Sequence, residues 1–151
     1  MNSKIVLTAE QAAEMRERCL CSHVQRAARR LARHYDDALR PVGLTHGQFS
    51  LLIALVEPKA PSVKRLAETL GMDRTSLTAK LKALEKGGMV RVKTDQKDKR
   101  TRRIHITPKG RSQLTEALPL WTRAQEAMDM LVSELDQAAL VRMLAVVSDA
   151  E

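Results

Sequence analysis

Between Ser62 and Gly110 the hydrophobic pattern changes period twice, and few folds accommodate both changes in so short a stretch. Val63, Leu66, Ala67 and Leu70 recur at helical spacing behind Ser62, a capping residue. Gly71 interrupts, Asp73 can cap a new helix, and Leu77, Leu81 and Leu84 form its apolar stripe as far as Gly87 and Gly88. Beyond these glycines the period drops to two. Val90 and Val92 alternate with Arg91 and Lys93, residues 95–101 are a polar tip, and residues 102–107 alternate again with Ile104 and Ile106 inward. Thr107 and Pro108 then cap and start another helix.

Ala67 is small where two helices must cross, and Gly71 supplies the positive φ of a tight turn. Helix, turn, helix and basic hairpin in that order make a winged helix-turn-helix. Helical periods flank it on both sides. Thr8 with Gln11 forms a capping box, and Leu20, Val24, Ala27/Ala28, Leu31, Tyr35 and Ala38/Leu39 set a long helix, breakable near its start, that ends before Pro41. Thr45 with Gln48 is a second capping box ahead of Phe49, Leu52, Ile53 and Val56. After Pro108 the stripe Leu114, Leu118, Trp121, Met128, Leu131/Val132 and Leu135 predicts one helix, with Pro119 bending it or perturbing its hydrogen bonds. Leu140, Leu144 and Val147 predict a last helix. The expected architecture is mainly α with a small β-hairpin wing: 1–44 an N-terminal dimerisation region, 45–111 the winged DNA-binding domain, 112–151 C-terminal dimerisation helices. The flanking helices are apolar and have no evident partner within the chain, so a two-fold dimer that buries them is expected.

Charge separates the same three regions. Residues 1–61 carry 9 basic and 6 acidic side chains, residues 62–111 carry 15 and 5, and residues 112–151 carry 2 and 7. The polyanion-binding candidate is the middle region, and the tail cannot be. Tyr35, Phe49 and Trp121 are the only aromatics, too few for folds that stack single-stranded bases. The longest apolar run, residues 51–56, is far below the about 20 residues that cross a bilayer, and residues 1–10 lack a secretory apolar stretch. A cytoplasmic protein is expected. No cofactor or metal set is read from the sequence, the four histidines being scattered, and the absence of phosphate-loop, dinucleotide and nucleophile-elbow motifs argues against an enzyme.

The second helix of the pair opens Arg74-Thr75-Ser76-Leu77-Thr78-Ala79-Lys80, with Lys82 one turn on. Short hydroxyls and long cations at a helix start reach base edges and phosphates when the helix lies in a major groove; the same residues are also ordinary helix starters. The wing tip adds Asp98, Lys99, Arg100 and Arg102, and a wing beside a recognition helix can place an arginine in the flanking minor groove.

The helix-turn-helix, the stretch 84–91 (Leu-Glu-Lys-Gly-Gly-Met-Val-Arg), the wing Asp98-Lys99-Arg100 and Ile106-Thr107-Pro108-Lys109-Gly110 together resemble the MarR family of transcription regulators, over about residues 20–130. The resemblance implies a homodimer gripping a pseudo-palindromic duplex, with Arg100 in the minor groove and Asp98 orienting it. It also implies a response to a small aromatic or acyl ligand, or to an oxidant, between the dimer helices and the winged domain. Cys21 with Tyr35 is similar to the organic-peroxide sensors of that family, in which three tyrosines assist the thiol; here Gln25 and His46 stand at the other two positions. Cys21, Arg30, Tyr35 and His46 are therefore the candidate ligand-binding or sensing residues, Arg30 within a run of helix cations that could meet an acidic ligand. On a continuous helix Cys19 and Cys21 lie about 200° apart, which argues against a mutual disulfide or shared metal. The expected function is a sequence-specific DNA-binding regulator, a repressor released by a small ligand. The alternatives are a peroxide-sensing regulator using Cys21 and an unregulated architectural DNA binder.

Overall fold

The computed structural model describes residues 7–133 and 136–149. The chain divides into two compact units, one ending at His34 and the other beginning at Tyr35, taken in turn.

In the first unit, helix α1 (Ala9–Arg18) starts at the expected Thr8–Gln11 capping box. The chain then leaves the helix at Cys19, which is extended (φ −73°, ψ 97°), and α2 (Leu20–Leu39) begins. The predicted break is real, and it removes the premise that the two cysteines share a continuous helix. Both thiols are free, Cys19 half-buried and Cys21 exposed. Leu20 and Leu31 are exposed here; the last residues of α2 belong to the second unit, where Tyr35 and Leu39 are buried.

In the second unit, a short 3-10 turn (Arg40–Val42) leads to α3 (His46–Ala54), opened by the Thr45–Gln48 capping box. Helices α4 (Val63–Thr69) and α5 (Arg74–Lys86) follow, each capped by the expected side chain, Ser62 and Asp73. Gly71 sits at φ 58°, and Met72 N donates to Ala67 O at 2.9 Å across the tight turn. At the end of α5, Gly88 (φ 72°) lets Met89 N reach Leu84 O at 2.9 Å, which turns the chain into the hairpin. Strands β1 (Val90–Thr94) and β2 (Arg102–Ile106) pair antiparallel with Val90 opposite Ile106 and Val92 opposite Ile104. These four make the inner face of the wing, and Val90 and Ile104 are fully buried. Thr107 caps α6 (Pro108–Leu131), and α7 (Gln137–Asp149) ends the described chain.

The core is built from Leu39, Leu44, Phe49, Leu52, Leu66, Leu77, Leu84 and Leu114. One of the expected stripes is rotated and another is met in part. On α3, Ile53 and Val56 are exposed while Leu51 and Leu55 take the buried positions. On α6, Leu114 is buried and Trp121 packs on the core as expected, and Ala117 and Ala124 are buried too, while Leu118 is 53% exposed and Leu131 is exposed. Trp121 stacks on Phe49 with centroids 6.0 Å apart. The helix runs unbroken through Pro119, and Leu135 lies outside the described residues. Leu140, Leu144 and Val147 lie on α7 as expected, and all three are exposed.

Candidate nucleic-acid interface

Buried Leu77, Leu81 and Leu84 fix which way α5 faces. Thr75, Ala79 and Lys82 then project from the opposite side, and Arg74, Ser76, Thr78 and Lys80 flank them, all exposed. Asp73 accepts from Ser76 N at 2.8 Å, and its carboxyl is held below the usual range by the Ser76 side chain first and the Ser76 amide second. Thr78 donates its hydroxyl proton to Arg74 O at 2.6 Å, which leaves its oxygen as an acceptor and its methyl as an apolar contact. Lys80 reaches back toward α3, its amine 3.3 Å from where a Cβ on Gly47 would sit.

A groove of about 610 Å³ separates α5 from the wing. Arg74, Thr78 and Lys82 line one wall, Arg100, Thr101 and Arg102 the other, and Lys64 at the start of α4 closes the end. Five of the sequence-predicted residues are thus brought together: Arg74, Thr78, Lys82, Arg100 and Arg102. Thr75 and Ser76 stand on the exposed start of α5, and Lys99 on the exposed tip of the hairpin. Lys64 was not anticipated, because its place in the groove depends on how α4 meets the wing. Glu85 accepts from Val92 N at 3.2 Å and ties β1 to α5.

The hairpin tip is a nest of backbone hydrogen bonds to carboxylates. Asp95 accepts from Lys97 N (2.8 Å) and Asp98 N (3.0 Å) through one oxygen and from the Arg103 guanidinium through the other. The Arg103 hydrogen bond first, then the Asp98 and Lys97 amides, pull the Asp95 carboxyl down to about 2. Asp98 accepts from Arg100 N at 3.0 Å and from the Thr101 hydroxyl at 2.7 Å, and the latter is the main reason its carboxyl is lowered. Asp98 therefore meets Arg100 through the main chain.

The sensing candidates fall in both units. In the first, Gln25 donates to Cys21 Sγ at 3.2 Å and Ser22 donates to Cys19 Sγ at 3.3 Å. That hydroxyl, with the Ser22 amide behind it, pushes the Cys19 thiol down. Arg30 is exposed. In the second unit, Tyr35 donates to Gln125 Oε1 at 2.7 Å and stacks on His46, centroids 5.0 Å apart. Burial, then the charge of Asp129, pushes the Tyr35 phenol up. Burial also pulls His46 down against the opposing pull of Asp36, whose carboxylate accepts from His46 N at 2.6 Å. His46 Nδ1 is buried with no hydrogen-bond partner among the described residues. Among those residues no cluster of three His, Cys, Asp or Glu side chains could hold a metal ion, and no helix is long and apolar enough to cross a membrane.

A recognition-type helix facing a basic two-stranded wing across one groove defines the winged helix-turn-helix class of DNA-binding domains. Comparison with known proteins narrows this. Residues 44–101 match the model of the MarR family. The chain is 37% identical to the Mycobacterium tuberculosis transcriptional regulator MosR solved in complex with DNA (TM-score 0.76, 86% of this chain and 93% of that one). It is 30% identical to the transcriptional repressor CouR bound to a 23-mer DNA duplex (TM-score 0.77, 95% and 99%). Over 92 residues it is 39% identical to the regulator TtmR of Methylorubrum extorquens, covering 61% of this chain and 47% of that protein. The chain spans less than two thirds of the length of the curated relatives it matches. It belongs to the MarR family of transcription regulators.

Proposed function

We propose that the chain binds duplex DNA as a two-fold dimer and acts as a repressor that leaves its operator when a small aromatic or acyl ligand binds. The observation that carries this reading is the single groove in which Arg74, Thr78 and Lys82 of α5 face Arg100 and Arg102 of the wing. In that arrangement α5 enters a major groove while the wing meets the flanking minor groove. The exposed apolar residues of α7, among them Val141 (59%) and Val146 (71%), support a second copy as partner. Two-fold symmetry then sets two recognition helices about one duplex turn apart, matching a pseudo-palindrome. A ligand that binds one spacing of those helices better than the other shifts the population away from the DNA-competent form. That CouR has also been solved bound to p-coumaroyl-CoA supports an acyl ligand, for which Arg30 is a candidate contact.

The test is a gel-shift titration of the full chain against its own upstream region and a scrambled duplex at moderate salt. Preference for the upstream region, relieved at particular base pairs by Thr75→Ala or Ser76→Ala, is the expected result. Equal competition by the scrambled duplex would hand the reading to an unregulated architectural binder.

The thiols support a second reading. Cys19 is lowered by Ser22 at the break between α1 and α2, and Cys21 is exposed two residues on. A hydroperoxide ROOH would transfer its terminal oxygen to either thiolate, giving a sulfenic acid and the alcohol ROH once protons are balanced. Peroxide release of DNA that disappears in Cys19→Ser or Cys21→Ser would establish this switch and name the sulfur. Sensitivity that survives in both variants removes it.

A further inference from the structure

Arg103 lies in the basic hairpin yet points away from the groove that gathers Arg100 and Arg102. In the strand register it stands opposite Lys93 on the outer face of the wing. Two like charges facing each other across a hairpin repel, and Arg103 escapes this by turning inward. Its side chain is only 29% exposed and that of its partner Asp95 13%. Nε donates to Asp95 Oδ2, and Nη1 donates to Ala60 O at 2.9 Å, across 43 residues of sequence. The main chain repeats the link, with a bridge between Ser62 and Arg103 and Ile104 N donating to Pro61 O at 3.0 Å. The other end of the connection is the tip itself. Asp95 holds the amides of Lys97 and Asp98, and Asp98 holds the amide of Arg100. An unbroken polar path therefore runs from the loop before α4, through Arg103 and two carboxylates, to the backbone of Arg100.

The geometry points to Arg103 and Asp95 as positioning residues that latch the wing to the body of the domain and so fix where Arg100 is presented to DNA, without touching DNA themselves. This rests on the DNA-binding reading above and adds to it a device for wing placement. A planar guanidinium suits the role, since it can engage a carboxylate and a carbonyl at once, whereas a lysine ammonium is a point charge.

Simple electrostatics and the latch make opposite forecasts for one substitution. Asp95→Asn removes a negative charge from a protein that binds a polyanion, which by charge alone tightens binding. The latch forecasts weakening, by about tenfold given the usual coupling between neighbouring groups in one network. The experiment uses the full chain and a duplex enriched by the wild-type protein from a random library, with thermal melts to establish that each variant is folded. Asp95→Asn and Arg103→Gln should each weaken binding about tenfold, and Arg103→Lys, retaining the charge and one donor, should weaken it less. In an Arg100→Ala background all three should lose their effect. In the DNA-free proteins, trypsin should cut after Lys97 and Lys99 several-fold faster when the latch is opened, and at the wild-type rate in Arg100→Ala. Tighter or unchanged binding by Asp95→Asn with unchanged cleavage overturns the proposal. So does Arg103→Gln acting multiplicatively with Arg100→Ala and lowering the salt slope, the mark of a phosphate contact. If the wild-type protein enriches no duplex, the DNA reading fails and takes with it the purpose assigned to the latch, while the cleavage rates still report whether the wing is held.

Discussion

Gly110 is the third residue of α6, where replacing glycine by alanine ordinarily helps a helix by up to about 1 kcal/mol. Here the opposite is expected. A Cβ on Gly110 would sit 2.3 Å from the Met89 carbonyl oxygen, 2.9 Å from Ile106 Cγ1 and 3.2 Å from Met89 C. The first distance is about 1 Å shorter than an ordinary contact, and the atom it strikes is backbone, which cannot swing aside. Met89 O is also the acceptor for Thr107 N at 3.0 Å, so moving it disturbs the junction between the wing and α6. Overpacking of this kind costs about 1–3 kcal/mol, and a weakened junction hydrogen bond adds about 1. After the helix-propensity gain, Gly110→Ala should be destabilised by about 1–3 kcal/mol. Urea denaturation of the full chain measures this, with Gly47→Ala as control. At Gly47 the new methyl meets the mobile end of Lys80 at 3.3 Å, so that variant should be neutral or stabilised by up to about 1 kcal/mol. A Gly110→Ala midpoint equal to or above wild type would refute the packing argument.

Arg100→Ala should weaken binding to all operators and lower the slope of log K against log salt by about one, read from titrations at several salt concentrations. Leu77→Ala, which empties a fully buried site beneath the recognition face, should cost about 2–5 kcal/mol in denaturant unfolding. The His46 value is lowered below 6.5 on folding, so the unfolded chain binds the extra proton first. Stability is then lost as pH falls through the unfolded value, and the loss is complete below the folded one. Thermal midpoints from about pH 7.5 to about pH 5 should show this fall, and His46→Phe, which keeps the stack on Tyr35, should flatten it. Val141→Glu on the exposed face of α7 should shift the chain from dimer to monomer in sedimentation; an unchanged dimer would place the interface elsewhere.

The helix-turn-helix and the wing were legible because their signals are local. Stripes such as Leu77, Leu81 and Leu84 and the alternation through Val90, Val92, Ile104 and Ile106 report burial directly, and Gly71 marks a turn that needs its backbone. The face of α6 was legible in part: Leu114 and Trp121 of the expected stripe meet the core, but Leu118 is exposed, and Ala117 and Ala124, whose small side chains carry little apolar signal, are buried. Half of the candidate groove followed from α5 and the wing tip, yet Lys64 and the Arg103 tie to Ala60 depend on contacts across long stretches of chain that no spacing rule encodes. The contact of Ser22 with Cys19 was not legible either, because it forms where the chain leaves the helix at Cys19.

Helix α6 carries Pro119 at the midpoint of its 24 residues. Proline has no amide hydrogen, so the carbonyl of Thr115 lacks the donor that every neighbouring turn supplies. On one side of this gap Leu114 and Ala117 seat the helix in the winged core; on the other, Trp121 and Ala124 are seated in turn. A gap seated on both sides against one core costs the helix a hydrogen bond without ending it, and α6 runs on through Pro119 as a single element.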